Sequence, residues 1–217
     1  MCAKLSLPRL MVVTDRHATG GRDLVDVLAA AAAGGARFFQ VRERDLPPDV
    51  LLELVEDIQS ALPPGTLIVV NGRPEMARER GCGLHLSAAA PLPEKPLPEP
   101  WGRAVHDEAE TARALADGAR YLVVGTIYPT PSKPGFAGAG PGLVRRVAAA
   151  AGAVPVFAIG GVDEGRIAEL REAGAYGAAV RRAVLGAADP AAAARRLLRA
   201  LGARPSGRSG AEAASAS

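Results

Sequence analysis

Short apolar runs that alternate with longer helical segments are the feature that most constrains this chain. Each run is mostly apolar at both odd and even positions, a pattern typical of strands buried on both faces. The eight runs cover residues 10–14, 38–41, 67–70, 83–86, 102–105, 121–125, 154–159 and 177–180. Alternation of this kind predicts a parallel sheet in which a helix follows each strand.

Most of the segments between the runs have apolar residues at helical spacing. The predicted helices cover residues 23–33, 48–62, 74–80, 107–116, 142–151, 164–173 and 190–201. Residues 91–100 are the exception, because their prolines lack backbone donors, and we expect an extended loop where a fourth helix should stand. Eight units in about 200 residues favour a single (β/α)8 TIM barrel over an open doubly wound sheet.

Several classes of protein are disfavoured by composition. We expect one barrel domain over residues 1–203 and a disordered tail over residues 204–217, where apolar side chains larger than alanine are scarce. The chain has no apolar run of membrane-spanning length and no secretion signal, so we expect a cytoplasmic protein without a membrane partner. Aromatic residues are 4% and the net charge is only +3, which argues against a nucleic-acid partner.

Functional residues are sought at the carboxyl ends of the strands, where barrel sites gather. Gln40, Arg42 and Arg44 alternate at the end of the second run, so in an extended chain their side chains point to the same side. Two guanidiniums beside an amide would suit an anion such as a phosphate. A surface ion-pair cluster with Glu43 and Asp45 is an equal alternative.

Asn71 follows the third run, where it either caps the next helix or faces a ligand. The three histidines are scattered in sequence, and with two cysteines they suggest no metal cluster. His85 lies inside an apolar run and is interpreted as a structural residue.

A long loop of hydroxyls, lysine and glycines follows the sixth run. It contains Thr126, Thr130, Ser132 and Lys133 between prolines. Its length favours a lid over the site rather than a solvated surface loop. Hydroxyls, lysine and glycine amides all suit a phosphate group.

The last two loops complete the set of candidates. Gly160 and Gly161 follow the seventh run, and paired glycines let backbone amides approach an anion closely. Arg181 and Arg182 follow the eighth. Barrels often bind phosphate between these two loops.

These motifs, in this order, resemble the superfamily of thiamine-phosphate synthase and the TenI-type thiazole tautomerase, which is a (β/α)8 barrel. The matching segments are residues 12–15, 40–44, 70–73, 83–86, 102–106, 125–133, 154–162 and 174–184. The synthase joins a pyrimidine diphosphate to a thiazole phosphate and uses Mg²⁺. The resemblance places its two metal carboxylates at Gly72 and Ala90, which have no side-chain oxygen.

The tautomerase branch matches more closely at two places, Asn71-Gly72-Arg73 and the segment that ends at His106. That enzyme moves a proton on a carboxylated thiazole phosphate without metal. Its histidine after the sixth strand is Thr126 here, and a hydroxyl cannot act alone as an acid or base near pH 7. Thr126 could hold a water or orient the substrate carboxylate.

The resemblance implies a metal-free thiazole tautomerase, with a thiamine-phosphate synthase that needs Mg²⁺ or a non-catalytic binder as alternatives. The ligand is a phosphorylated thiazole, no cofactor is expected, and a homo-oligomer is left open. Lys133 is a candidate proton carrier beside Thr126, provided that desolvation lowers its pKa. The expected binding residues are Gln40, Arg42, Arg44 and Asn71 for the ring carboxylate, Thr130 and Ser132 in the lid, and Gly160, Gly161, Arg181 and Arg182 for the phosphate.

Overall fold

Eight parallel strands close into one barrel in the computed structural model, which describes residues 7–202. Each strand pairs with the next in chain order, and the last pairs with the first. The strands are β1 Leu10–Val13, β2 Phe38–Val41, β3 Leu67–Asn71, β4 Gly83–Leu86, β5 Trp101–Val105, β6 Tyr121–Gly125, β7 Val156–Ile159 and β8 Gly177–Val180. The predicted (β/α)8 barrel is confirmed.

Helices follow most of the strands and surround the barrel. They are α1 Leu24–Ala33, α2 Pro48–Ala61, α3 Pro74–Glu79, α4 Glu108–Asp117, α5 Pro141–Ala151, α6 Ile167–Glu172, α7 Arg182–Leu185 and α8 Pro190–Gly202. The local sequence accounts for their ends: Pro48 begins α2, and the carboxylate of Asp107 accepts a hydrogen bond from the backbone of Glu110 at the start of α4. Gly118 ends α4 with a φ of 96°, which glycine adopts easily.

The ring is closed where β8 meets β1. Leu10 pairs with Ala178 and Val12 with Val180 in parallel register. Because all the strands run in the same direction, their carboxyl ends and the loops that follow them lie at one end of the barrel. This brings residues from the two ends of the chain to the same mouth.

Aromatic rings fill the inside of the barrel. Phe38 packs edge-to-face against Tyr121 and Phe157, with ring centroids 5.5 and 5.6 Å apart. Gly102 leaves room for the Tyr121 ring, since a Cβ there would lie 2.4 Å from the ring. The inside of the barrel is therefore a packed core.

The segment between β4 and β5 has no helix, as its prolines predict. Arg103 fastens this segment to the barrel, because its guanidinium donates to the carbonyl of Ala90 at 3.0 Å and pairs with Asp117 at 3.2 Å. The predicted helix over residues 164–173 is instead a 3₁₀ turn, Glu164–Arg166, followed by α6, and the short helix α7 was not predicted.

The predicted tail over residues 204–217 lies outside the described residues. Within residues 7–202, none of the helices has both the length and the apolar character needed to cross a membrane.

Candidate functional site

A cavity of about 820 Å³ lies at the mouth of the barrel, where the strands end. Its wall is formed by residues from the ends of the strands and from the loops that follow them. It brings together all of the residues that the sequence nominated: Gln40, Arg42, Arg44, Asn71, Thr126, Thr130, Ser132, Lys133, Gly160, Gly161, Arg181 and Arg182. The closed parallel barrel is the reason that positions so distant in sequence meet here.

Two arginines after β2 reach the cavity. Arg42 and Arg44 have no carboxylate partner among residues 7–202, because Glu43 and Asp45 pair with Arg16 instead, at 3.2 and 2.6 Å. Burial lowers the pKa of Arg42, and the nearby charges of Arg44 and Arg181 lower it further. The ion-pair cluster therefore exists, but it leaves both of these arginines available to an anion.

A polar floor, consisting of Gln40, Asn71 and His85, lies beneath these arginines. The side-chain amide of Gln40 donates to Asn71 Oδ1 at 3.2 Å. Asn71 does not cap α3, since the residue at that cap, Arg73, makes no side-chain capping bond and Asn71 faces the cavity. Asn71 is therefore a cavity residue and not a helix cap, and its contact with a ligand stays a prediction.

His85, which the sequence analysis interprets as a structural residue, also lines the cavity. Its ring lies against Tyr121, with Nδ1 3.2 Å from the tyrosine hydroxyl, and only 4% of the residue is exposed. Burial, aided by the charge of Arg42, lowers the pKa of His85 to about 3, so the imidazole is neutral near pH 7. The pairing of β3 with β4 sets His85 beside Asn71, and both residues line the cavity.

The loops after β6 and β7 are packed tightly against each other. Gly160 and Gly161 have φ values of 100° and 63°. A Cβ at Gly160 would lie 2.4 Å from Thr126 Cγ2, so only glycine fits there without displacing Thr126. The backbone N–H of Tyr128 donates to Gly160 at 3.0 Å, and the guanidinium of Arg166 lies over the Tyr128 ring at 4.5 Å.

The lid loop, residues 126–140, contributes Thr126 and residues 129–133 to the wall of the cavity. Two backbone hydrogen bonds hold its base, from Ala139 to the carbonyl of Thr126 at 3.0 Å and from Gly140 to that of Ile127 at 2.9 Å. Lys133 is exposed, with its ammonium 5.8 Å from the centre of the Phe136 ring. The desolvation that a proton-carrying Lys133 would need is therefore not provided by this arrangement of the lid.

Arg181 has partners that the sequence analysis did not foresee. Its guanidinium pairs with Asp15 at 2.9 Å and donates to the hydroxyl of Ser132 in the lid. The sequence predicts that this side chain contacts a phosphate, and the structure shows that it also links two loops. Arg182 lines the cavity and has no carboxylate partner within residues 7–202.

Comparison with known proteins places the chain in a family. The family model described as "Thiamine monophosphate synthase" matches residues 10–184. A thiamine-phosphate synthase of Mycobacterium sp. (strain KMS) is 42% identical over 195 residues, which cover 86% of this chain and 84% of that protein. A thiamine-phosphate synthase of Thermus thermophilus is 37% identical over 192 residues, covering 86% of this chain and 93% of the other.

A solved structure has the same fold at high coverage. It is a thiamine phosphate pyrophosphorylase from Pyrococcus furiosus, with a TM-score of 0.79 and 26% sequence identity, covering 89% of this chain and 95% of that one. The superfamily suggested by the motifs is thus confirmed by both sequence and structure. This chain belongs to the thiamine monophosphate synthase family.

Proposed function

We propose that this chain catalyses a step of thiamine biosynthesis on a phosphorylated thiazole, and that the step is the transfer for which its relatives are named. In that reaction the thiazole nitrogen bonds to the methylene carbon of a pyrimidine diphosphate. The C–O bond to the diphosphate breaks, and its electron pair leaves with the diphosphate. The names of the relatives support this transferase reaction over the tautomerase that the sequence motifs favour.

The observation that carries the proposal is a set of cations around the cavity without carboxylate partners. Within residues 7–202 this set consists of Arg42, Arg44, Lys133 and Arg182. Like charges at one mouth repel each other until an anion binds between them. A leaving diphosphate gains negative charge in the reaction, and fixed guanidiniums stabilise such charge most strongly where water is excluded.

The family resemblance implies Mg²⁺, but the residues present do not fit it. Gly72 and Ala90 stand where the carboxylates should be, and neither offers a side-chain oxygen. Asp163 lines the cavity, but its carboxylate caps the turn that follows and lies 3.7 Å from Arg166. The described residues hold no group of three or more His, Cys, Asp or Glu side chains suited to a metal. We therefore assign the diphosphate to Arg42 and Arg44 and no step to a metal.

A metal-free tautomerisation of a carboxylated thiazole phosphate is the second candidate, and this same lack of metal carboxylates favours it. The reaction removes a proton from one ring position and returns one at another. Thr126 cannot carry that proton near pH 7. The imidazole of His85 at the floor is neutral, so it can donate a hydrogen bond to the thiazole ring of the substrate or accept one from it.

One set of assays separates the candidates. Purified protein is given hydroxymethylpyrimidine diphosphate with thiazole phosphate, or the carboxylated thiazole phosphate alone, each with Mg²⁺ and with EDTA. Release of diphosphate together with thiamine phosphate supports the transferase. Aromatisation of the carboxylated thiazole phosphate in EDTA, with no release of diphosphate from the other substrate pair, supports the tautomerase. If thiazole phosphate binds in calorimetry but neither substrate is converted, both enzyme proposals are wrong and the chain is a binding protein.

A matched pair of variants tests the role of the cations. We expect Arg42→Gln to reduce turnover at least about tenfold, because a charge-assisted hydrogen bond contributes roughly 1.5 to 3 kcal/mol. Arg113→Gln is the control, since Arg113 is exposed on α4 and outside the cavity. Equal turnover in the two variants would remove Arg42 from the proposed mechanism.

A further inference from the structure

Asp15 and Arg181 face each other across the seam where the barrel closes. Asp15 follows β1 and Arg181 follows β8, and these strands are paired. The guanidinium of Arg181 lies 2.9 Å from the carboxylate of Asp15, and each side chain is 21% exposed. An ion pair this shielded from water is screened less than a surface pair.

The same guanidinium reaches the lid. Its other terminal nitrogen donates to the hydroxyl of Ser132, which lies in the lid tip, residues 130–136. The tip's remaining hydrogen bonds within the described chain are internal, such as those from Lys133 to the carbonyl of Thr130 and between the Thr130 and Ser132 hydroxyls. The bond from Arg181 therefore fastens the tip to the barrel.

We propose that Asp15 is a positioning residue for substrate binding: its carboxylate orients Arg181, and Arg181 in turn holds the lid tip over the cavity. A planar guanidinium can hold two partners at fixed angles, which a lysine could not do. The part of the proposal that concerns substrate rests on the function proposed above, whereas the part that concerns the lid does not.

Asp15 also has an effect on the charges around the cavity. Arg181 and Arg42 lie close enough for their like charges to act on each other, and the carboxylate of Asp15 acts on Arg42 with the opposite sign. Asp15 thus offsets repulsion between two cations that would otherwise push Arg181 away from the mouth. Without it, we expect Arg181 to leave its place and the lid tip to lose its attachment.

Hydrogen exchange of the ligand-free protein tests the lid directly. In Asp15→Asn, we expect the backbone amides of Lys133 and Phe136, which donate to carbonyls inside the tip, to exchange about threefold to tenfold faster, the range expected for losing one partly shielded ion pair. Asparagine keeps an oxygen that can still accept the hydrogen bond from the backbone of His17, so the local turn is preserved. Ser132→Ala should give a similar increase, and the double variant should add little, because both changes break one chain of contacts.

Asp45→Asn is the matched control, since Asp45 also lies in a loop after a strand and pairs with Arg16 and His17 outside the cavity. In Asp45→Asn, the backbone amides of the lid tip should exchange hydrogen at the wild-type rate. Cleavage by chymotrypsin after Phe136, which is 47% exposed, provides a second measurement with the same expected order. Wild-type exchange in both Asp15→Asn and Ser132→Ala would overturn the proposal, as would additive effects in the double variant.

Binding of thiazole phosphate then tests the link to substrate. We expect Asp15→Asn to weaken the binding of thiazole phosphate and to raise KM several-fold, while kcat changes little. The reason is that Asp15 acts through Arg181 and not on the reacting atoms. If the lid loosens but wild-type thiazole phosphate binding is absent, the proposed function fails and the positioning of the lid stands. If the lid loosens and affinity is unchanged, the positioning role in binding is wrong.

Discussion

The floor of the cavity and its lid are built in opposite ways. The floor side chains lie on strands: Gln40 and His85 are buried, Asn71 is half-buried, and all three have side-chain partners. The lid tip is exposed and is attached to the barrel through Arg181. The floor is thus held in place by the protein's own contacts, whereas Arg42 and Arg44 have no carboxylate partner within residues 7–202, and we expect a bound anion to supply one.

The largest effect that would test this contrast comes from the arginines. We expect the double substitution of Arg42 and Arg44 by alanine to weaken thiazole phosphate or diphosphate binding by about 100-fold or more, at roughly 1.5 to 3 kcal/mol per charged contact. Calorimetry with either ligand measures this. An affinity within threefold of wild type would mean that the anion lies elsewhere in the cavity.

The packing of the lid base should be the next largest effect. We expect Gly160→Ala to lower the free energy of unfolding by about 2 to 3 kcal/mol, because it combines a left-handed φ with a clash against Thr126. Gly20→Ala is the control, with a φ of 70° and nothing within 4 Å of its added Cβ. It should cost only about 1 kcal/mol. Chemical denaturation compares the two, and equal losses would show that the contact with Thr126 contributes nothing.

The floor should make stability depend on pH through His85. Its pKa is about 3 in the folded protein and 6.5 as the ordinary value, so below pH 6.5 the unfolded state binds a proton that the folded state does not. Stability is therefore lost as the pH falls from 6.5 towards 3, by about 1.4 kcal/mol per pH unit and about 2 kcal/mol at pH 5. In His85→Gln this loss of stability at low pH should be absent. If the free energy of unfolding depends on pH in the same way in the variant and the wild type, the prediction is wrong.

The smallest expected effect is a gain of stability. Arg42→Met should raise the free energy of unfolding by about 0.5 to 1 kcal/mol, because it removes a partly buried charge that Arg44 and Arg181 repel. Arg44→Met, at an exposed position, should change it less. A loss of stability in Arg42→Met would mean that Arg42 is held by contacts that offset this repulsion.

Much of the site could be predicted because a parallel barrel converts sequence order into spatial position. The residues that follow each buried run must lie at the same end, so Arg42, Asn71, Thr126, Gly160 and Arg181 share one cavity. The proline-rich segment was also predictable, since its lack of donors is a local property. The reaction was not settled in this way, because the motifs favour a tautomerase while the named relatives favour a transferase.

Other features could not be predicted from local patterns. The interpretation of His85 as a structural residue agrees with its burial, but an apolar run in a strand does not reveal that this residue also lines the cavity. Its burial and its contact with Tyr121 depend on strands that lie 36 residues apart in the chain.

The sequence by itself determined the repeating strand–helix units, and with them the set of side chains that reach the mouth of the barrel. Tertiary structure decided which charges are paired: Glu43 and Asp45 with Arg16, and Arg181 with Asp15 across the closing seam. The physical reason is that periodicity acts over neighbouring residues, whereas an ion pair requires two groups within a few ångströms, wherever they stand in the chain.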